Sequence, residues 1–181
     1  MQNIQKSTHY SNGFNLIELM VVTAVLGILV SVALSSYYTY SVRARVLEGI
    51  SLASSIKAEV SENYAEGKLI GLTTYAATLA TEVAAGNIAT AMVSDLTLDP
   101  ATGVITVVYN TNNATGGIPE LVGANTIALT PHIGNQGLGA TIDGGTISWE
   151  CAGADGAIAL TSYPASTLGS VTSRFLPGEC R

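Results

Sequence analysis

The sequence is poor in charge, and the charge it has is mostly acidic. Only 11% of its residues are Asp, Glu, Lys or Arg, against about a quarter in ordinary soluble domains. Seven Lys+Arg face 13 Asp+Glu, for a net charge of −6. That balance argues against a general nucleic-acid surface, which needs a basic face to displace counterions. Histidine occurs twice, as His9 and His132. Neither has the neighbours of a metal ligand or a general base, and no Gly-rich phosphate loop or nucleophile elbow is present. His132 follows Pro131 at the end of an expected strand, where a surface or turn role is the simplest reading. No catalytic residue, cofactor or metal site is therefore expected. Cysteine also occurs only twice, at Cys151 and Cys180, with no CxxC or Cys/His spacing around either. In an oxidising compartment the two would most simply form one disulfide. On the loop-entropy model that closure is worth about 3–4 kcal/mol. Two unrelated buried thiols are the alternative.

Against this scarcity stands a long apolar run. From Leu19 to Val42 there is no charged residue. As a helix rising 1.5 Å per residue, the run would extend about 36 Å. A bilayer core of about 30 Å requires no more. A polar leader, MQNIQKSTHYSNG, precedes it. An ordinary secretory signal has its apolar region before the cleavage site. Here the candidate site, Gly13 followed by Phe14, lies ahead of the apolar region, so cleavage would leave the hydrophobic helix on the mature chain. The flanks do not fix an orientation: Lys6, the amino terminus and His9 stand on one side, Arg43, Arg45 and Glu48 on the other.

Glu18 sits near the start of this run. A carboxylate in a spanning helix costs about 2.5–3.5 kcal/mol at the centre and less near an end. It is either tolerated at headgroup level or paired. A chain cut after Gly13 would carry a new α-amino group on Phe14, mostly cationic at neutral pH. Between two staggered copies, that amine could meet Glu18 of the neighbour. Such a pair adds little net stability in an apolar bundle but fixes register, because leaving one charge unpaired costs about 3–5 kcal/mol.

The residues Gly13-Phe14-Asn15-Leu16-Ile17-Glu18-Leu19-Met20-Val21-Val22 resemble the cleavage and methylation signature of type IV pilins. The resemblance implies cleavage after Gly13 by a prepilin peptidase, N-methylation of Phe14, and assembly into a helical filament in which Glu18 sets register. It implies residence in the inner membrane as a single-pass protein before assembly, with the assembly machinery and minor pilins as partners, and an extracellular filament afterwards. Adhesion, twitching motility and DNA uptake are the family's downstream roles. Gly27, Tyr37 and Tyr40 match family positions in and beyond the helix. Trp149-Glu150-Cys151 and Leu176-Pro177-Gly178-Glu179-Cys180-Arg181 look like the borders of a C-terminal disulfide-bounded region. Three departures stand out. Ser35 occupies the place of the usual proline, which removes the strongest helix breaker and the reason to expect local melting there. No Lys or Arg immediately precedes Gly13. Asn15 replaces the commoner threonine, an exchange expected to be minor.

The expected domains are therefore a leader at 1–13, a hydrophobic transmembrane and assembly helix at 14–42, and a head at 43–181. The expected fold class is α+β. One long helix from about Asn15 to Glu66 buries the stripe Val42, Val46, Ile50, Ala53, Ile56, Val60 and Tyr64 and stops at Gly67-Lys68. A connecting region with a short helix near Thr74–Ala84 follows. Four antiparallel strands are expected at Ala91–Leu98, Val104–Tyr109, Thr126–Thr130 and Gly145–Cys151, with turns at Asp99–Gly103 and Asp143-Gly144. The stretch 152–181 is expected to be irregular. Asp95, Asp99, Asp143 and Asp155 suit turn chemistry better than a calcium site. Asn113-Ala114-Thr115 matches a glycosylation sequon. Tyr37, Tyr38 and Tyr40 suit an interfacial belt or subunit packing. DNA binding along a filament shaft is not expected from an acidic chain; Lys68, Arg174 and Arg181 would be the local patch if DNA were bound. The competing readings are a minor pilin, a type II secretion pseudopilin, or a binding domain or enzyme that uses the helix only as a tether. A tether explains the span but not Gly13, Phe14 and Glu18 together.

Overall fold

A computed structural model of the chain describes residues 13–139 and 144–181. Most of the leader, with Lys6 and His9, and Asp143 of the last expected turn lie outside the described residues. The chain forms two compact units, Met1–Tyr38 and Thr39–Arg181.

Helix α1 covers Leu16–Ala84. Its part in the first unit includes the most apolar window, with a mean hydropathy of 2.5 and none of it buried. The hydroxyls of Thr23 and Ser31 donate to the carbonyls of Met20 and Ile28. These two hydroxyls are thus satisfied within the helix, which leaves a surface a hydrocarbon environment can accept. The helix runs through Ser35 without a break, as the absence of proline suggests.

In the second unit α1 turns amphipathic. The seven expected stripe residues from Val42 to Tyr64 are all buried. Fully burying a Val or Ile stabilises by about 1.5–3 kcal/mol. The first helical piece breaks at Lys68, within the expected Gly67-Lys68 stop, but α1 does not end there. Lys68 takes a non-helical conformation (φ 52°, ψ −134°), and the chain then resumes a helix to Ala84. This second piece is longer than the short helix expected at Thr74–Ala84. The threonines that argue against a helix here, Thr73, Thr74, Thr78 and Thr81, each donate to the carbonyl four residues back. Gly71 faces the Asn63 carbonyl so closely that no side chain fits, so a glycine is required where the two pieces meet.

The sheet contains strands β1 (Val93–Leu98), β2 (Ile105–Tyr109), β3 (Thr126–Ile133), β4 (Gln136–Gly137) and β5 (Ser148–Ala152), all paired antiparallel. The four expected strands are present. The two-residue β4 is too short to show an alternation in sequence. The β1–β2 connection forms where Asp99-Pro100-Ala101-Thr102-Gly103 places it. Asp99 accepts from the Ala101 N–H and the Thr102 hydroxyl, and Gly103 takes φ 74°. A bulge between Val93 and Asp95 lets both Val93 and Leu96 face inward. In β2, Ile105, Val107 and Tyr109 point to the core.

β3 continues through Pro131, past the expected end at Thr130. Its register with β2 stops at Leu129, so Pro131 lies beyond that ladder, a place where a missing N–H is tolerated. Residues 127–132 are buried throughout because β3 is covered on both faces. Ile127 and Leu129 join the core beside the α1 stripe. On the other face, Thr130 accepts from the Thr167 N–H, and the Thr126 and Ser170 hydroxyls lie 2.9 Å apart. The stretch 152–181 is thus more than an irregular tail: it contains helix α2 (Ala157–Ser162), two short 3-10 turns, and the buried residues Val171, Phe175 and Leu176.

Candidate assembly site and disulfide region

The residues proposed for processing lie at the head of α1. Gly13 and Phe14 precede the helix; Phe14 is 85% exposed, and nothing stands within 4 Å of where a side chain on Gly13 would be. Both residues are exposed among the described residues. Asn15 serves as the N-cap. Its Oδ1 accepts from the Ile17 N–H at 3.4 Å, and its own N–H donates to Glu18 Oε2 at 3.3 Å. The Asn15 side chain thus caps the second helical N–H while Glu18 caps the Asn15 N–H, half of a capping box, and the Glu18 carboxylate also lies against the positive end of the helix dipole. Glu18 is thus held within one turn of Phe14 by local backbone chemistry. The donor in that hold is the backbone N–H of residue 15, which a threonine would supply equally. An Asn three residues ahead of a Glu at a helix start is the signal for it.

The second unit contains the disulfide. Cys151 on β5 is bonded to Cys180, 29 residues on, with Cα atoms 4.6 Å apart. The link is reinforced by the Gly153 N–H donating to the Cys180 carbonyl and the Ile158 N–H to the Arg181 carbonyl. Lys57 on α1 lies 5.7 Å from the Trp149 ring centroid. Burial lowers its pKa, and the Glu179 carboxylate partly restores it. Lys57 thus touches the Trp149 side of the disulfide region and feels the charge of Glu179 on the other.

Several placements differ from expectation. His132 is buried rather than at the surface. Its ring stacks on Tyr163 at 4.7 Å, with Nδ1 2.7 Å from the Gly134 carbonyl and Nε2 3.4 Å from Glu150 Oε1. The extension of β3 under the C-terminal region puts it there. Lys68, Arg174 and Arg181 do not form one patch. Arg43 Nη2 donates to the Arg174 carbonyl, and Arg43 lies about 37 Å of helical rise from Lys68. Asp95 and Asp99 accept from nearby backbone N–H groups, and among the described residues no three His, Cys, Asp or Glu side chains gather as a metal site. Asn113 is exposed in a 3-10 turn, while the Thr115 hydroxyl is engaged by Asn110 and Asn112. Gly49 was not singled out in the sequence, yet Tyr109 packs directly on it and donates its hydroxyl to the Val46 carbonyl at 2.6 Å.

A family model described as pilin (bacterial filament) matches residues 42–181, and one described as the prokaryotic N-terminal methylation motif matches residues 8–34. The chain belongs to the pilin family. Fimbrial protein EcpC of Eikenella corrodens is 30% identical over 169 residues, which is 93% of this pilin and 90% of that protein. A fimbrial protein of Moraxella nonliquefaciens is 36% identical over 117 residues, 65% of this pilin and 75% of its own length. Type IV major fimbrial protein FimA of Dichelobacter nodosus is 41% identical over 71 residues, covering 39% of this pilin and 41% of FimA. Pilins are structural subunits. The two regions described above suit that role: one presents apolar helix surface, and the other is a head closed by a disulfide.

Proposed function

We propose that this pilin is a subunit of a type IV pilus, made as a prepilin and cut between Gly13 and Phe14. Residues 1–13 are the leader, 14–42 the membrane and assembly helix, and 43–181 the head. The leaderless chain is held in the inner membrane by its apolar helix, N-methylated on Phe14, and then stacked into an extracellular filament through that same helix. Glu18 neutralises the Phe14 amine of a neighbouring subunit and sets register. A role as major subunit in adhesion or motility is the favoured reading, with type IV major fimbrial protein FimA among the relatives. A minor pilin or a secretion pseudopilin shares the same N-terminus and is the alternative. DNA binding along the shaft is disfavoured by the net charge of −6.

The observation that carries this reading is that Gly13, Phe14 and Glu18 stand at the start of a helix whose most apolar window is wholly unburied. The test is the intact mass of the protein in filaments sheared from cells. A chain lacking residues 1–13 and gaining about one methyl group is expected in abundance. A chain that keeps its leader and stays in membranes would overturn the proposal. A processed but scarce chain would favour the minor-pilin alternative.

A further inference from the structure

Of the six lysines and arginines after Val42 (Arg43, Arg45, Lys57, Lys68, Arg174 and Arg181), three belong to one end of the head. Arg43 Nη2 donates to the Arg174 carbonyl at 2.9 Å, across 131 residues of sequence. The Arg174 guanidinium lies 4.3 Å from the Phe175 ring centroid, and the residue is exposed. Arg43 Nε is shielded from solvent without a hydrogen-bond partner. Arg45 is two residues further along α1, only about 3 Å higher on the axis but roughly 200° around it. Arg43 and Arg45 thus present positive charge at one height on two sides of the helix, and Arg174 adds a third charge from the C-terminal region. Among the described residues, none of the three lies within 4.0 Å of a carboxylate; Glu48 is the nearest acidic residue along the helix. Tyr40, three residues before Arg43 and so on its face, is 69% exposed.

We propose that Arg43, Arg45 and Arg174 form a basic collar that binds anionic phospholipid headgroups. The inference rests on the spanning reading of residues 14–42. Arg43 is the first charged residue after the uncharged run, so a chain that spans by that run carries the collar at the bilayer surface. Phosphodiester headgroups supply acceptors for the guanidinium donors, and an exposed tyrosine beside them suits the same level. The collar gives these basic residues of an otherwise acidic head a second role beside the Arg43–Arg174 link. It holds the stored subunit at a defined depth, and the contact is broken when the subunit leaves the membrane.

The test uses the full chain in vesicles of phosphatidylcholine and in vesicles containing phosphatidylglycerol, with spin-labelled phosphatidylglycerol as the probe of the lipid shell. A preference for the anionic lipid is expected, falling by up to about fivefold for each of Arg43→Gln, Arg45→Gln and Arg174→Gln. Arg43→Lys retains it, and so does Lys68→Gln, which removes the same charge elsewhere on the head. Thermal unfolding of each variant verifies that the head is intact. A chain that enters both membranes without preference overturns the collar alone, as does a preference that survives the triple variant. Competition by inorganic phosphate at constant ionic strength would reassign the arginines to a free anion, and competition by an oligonucleotide would reassign them to nucleic acid; either overturns the proposal. A chain that enters neither membrane overturns the spanning reading and the collar with it.

Discussion

The two stretches of α1 on either side of Tyr38 are both helical and both rich in Val, Leu, Ile and Ala, yet they treat those side chains in opposite ways. Before Tyr38 the large apolar residues lie open, with Ile28 68% and Val32 69% exposed. From Val42 to Tyr64 every third or fourth residue disappears into the core, and the faces between are mostly Ser, Ala, Lys and Glu. An all-round apolar helix has no preferred inner face and needs an external environment, either lipid or copies of itself. A one-sided helix finishes its burial within its own chain. Fold stability and assembly are therefore separable properties of this pilin, and a substitution can be aimed at one while sparing the other.

The sharpest break is Glu18→Ala. Leaving a neighbour's amine unpaired in an apolar bundle costs about 3–5 kcal/mol per contact, so filament yield is expected to collapse. The melting temperature of the head should not move. Normal filament yield from this variant would remove the register role. The reciprocal experiment replaces Cys151 and Cys180 by Ser. The two lie 29 positions apart, and without the link the head is expected to lose about 3–4 kcal/mol on the loop-entropy model, measured by denaturant unfolding. Membrane insertion of the helix should be unchanged.

Gly49→Ala sharpens the comparison inside the second stretch. The added methyl would stand 2.6 Å from Tyr109 Cε1, and that ring is fully buried and tied by its hydroxyl to Val46. A loss of about 1–3 kcal/mol is expected from overpacking, whereas Gly27→Ala, in open surroundings, should leave head stability untouched. Tyr109→Phe has the smallest effect, about 1 kcal/mol for the lost hydrogen bond, and it carries a pH signature. Burial first, and the Glu48 charge second, raise the pKa of the Tyr109 phenol above its ordinary value. The unfolded chain releases this proton near pH 10 while the folded chain keeps it. The phenol's contribution is thus complete below pH 10 and lost as the pH rises further. Unfolding curves of wild type and Tyr109→Phe should converge in alkali; parallel curves would show that the phenol is not held in its neutral form.

Much of this molecule was legible in its residues. The stripe from Val42 to Tyr64, the Asp99–Gly103 turn and the four main strands follow from periodicity and turn chemistry, which are local. The cysteine pairing was legible because only two cysteines exist. Non-local features were not. Lys68 breaks α1, but the helix resumes because Gly71 can pass the Asn63 carbonyl, a clearance set by another turn of chain. His132 is buried because residues 163–170 fold over a strand that sequence reasoning ended two residues earlier. The exchange of threonine for Asn15 stays minor because the bond to Glu18 uses the backbone N–H of residue 15, and both side chains can cap a helix.

The sequence by itself determined that a membrane-length helix carries one carboxylate near its start, and that the chain beyond it would close a head of strands over a half-buried helix. Hydrophobic period and charge placement are properties of neighbouring residues and require no fold to be read. Only the tertiary structure decided which basic residues meet, which glycines are indispensable and which polar side chains are covered. Those outcomes depend on distances between segments that lie as much as 131 residues apart, such as Arg43 and Arg174. Packing alone brings such segments together.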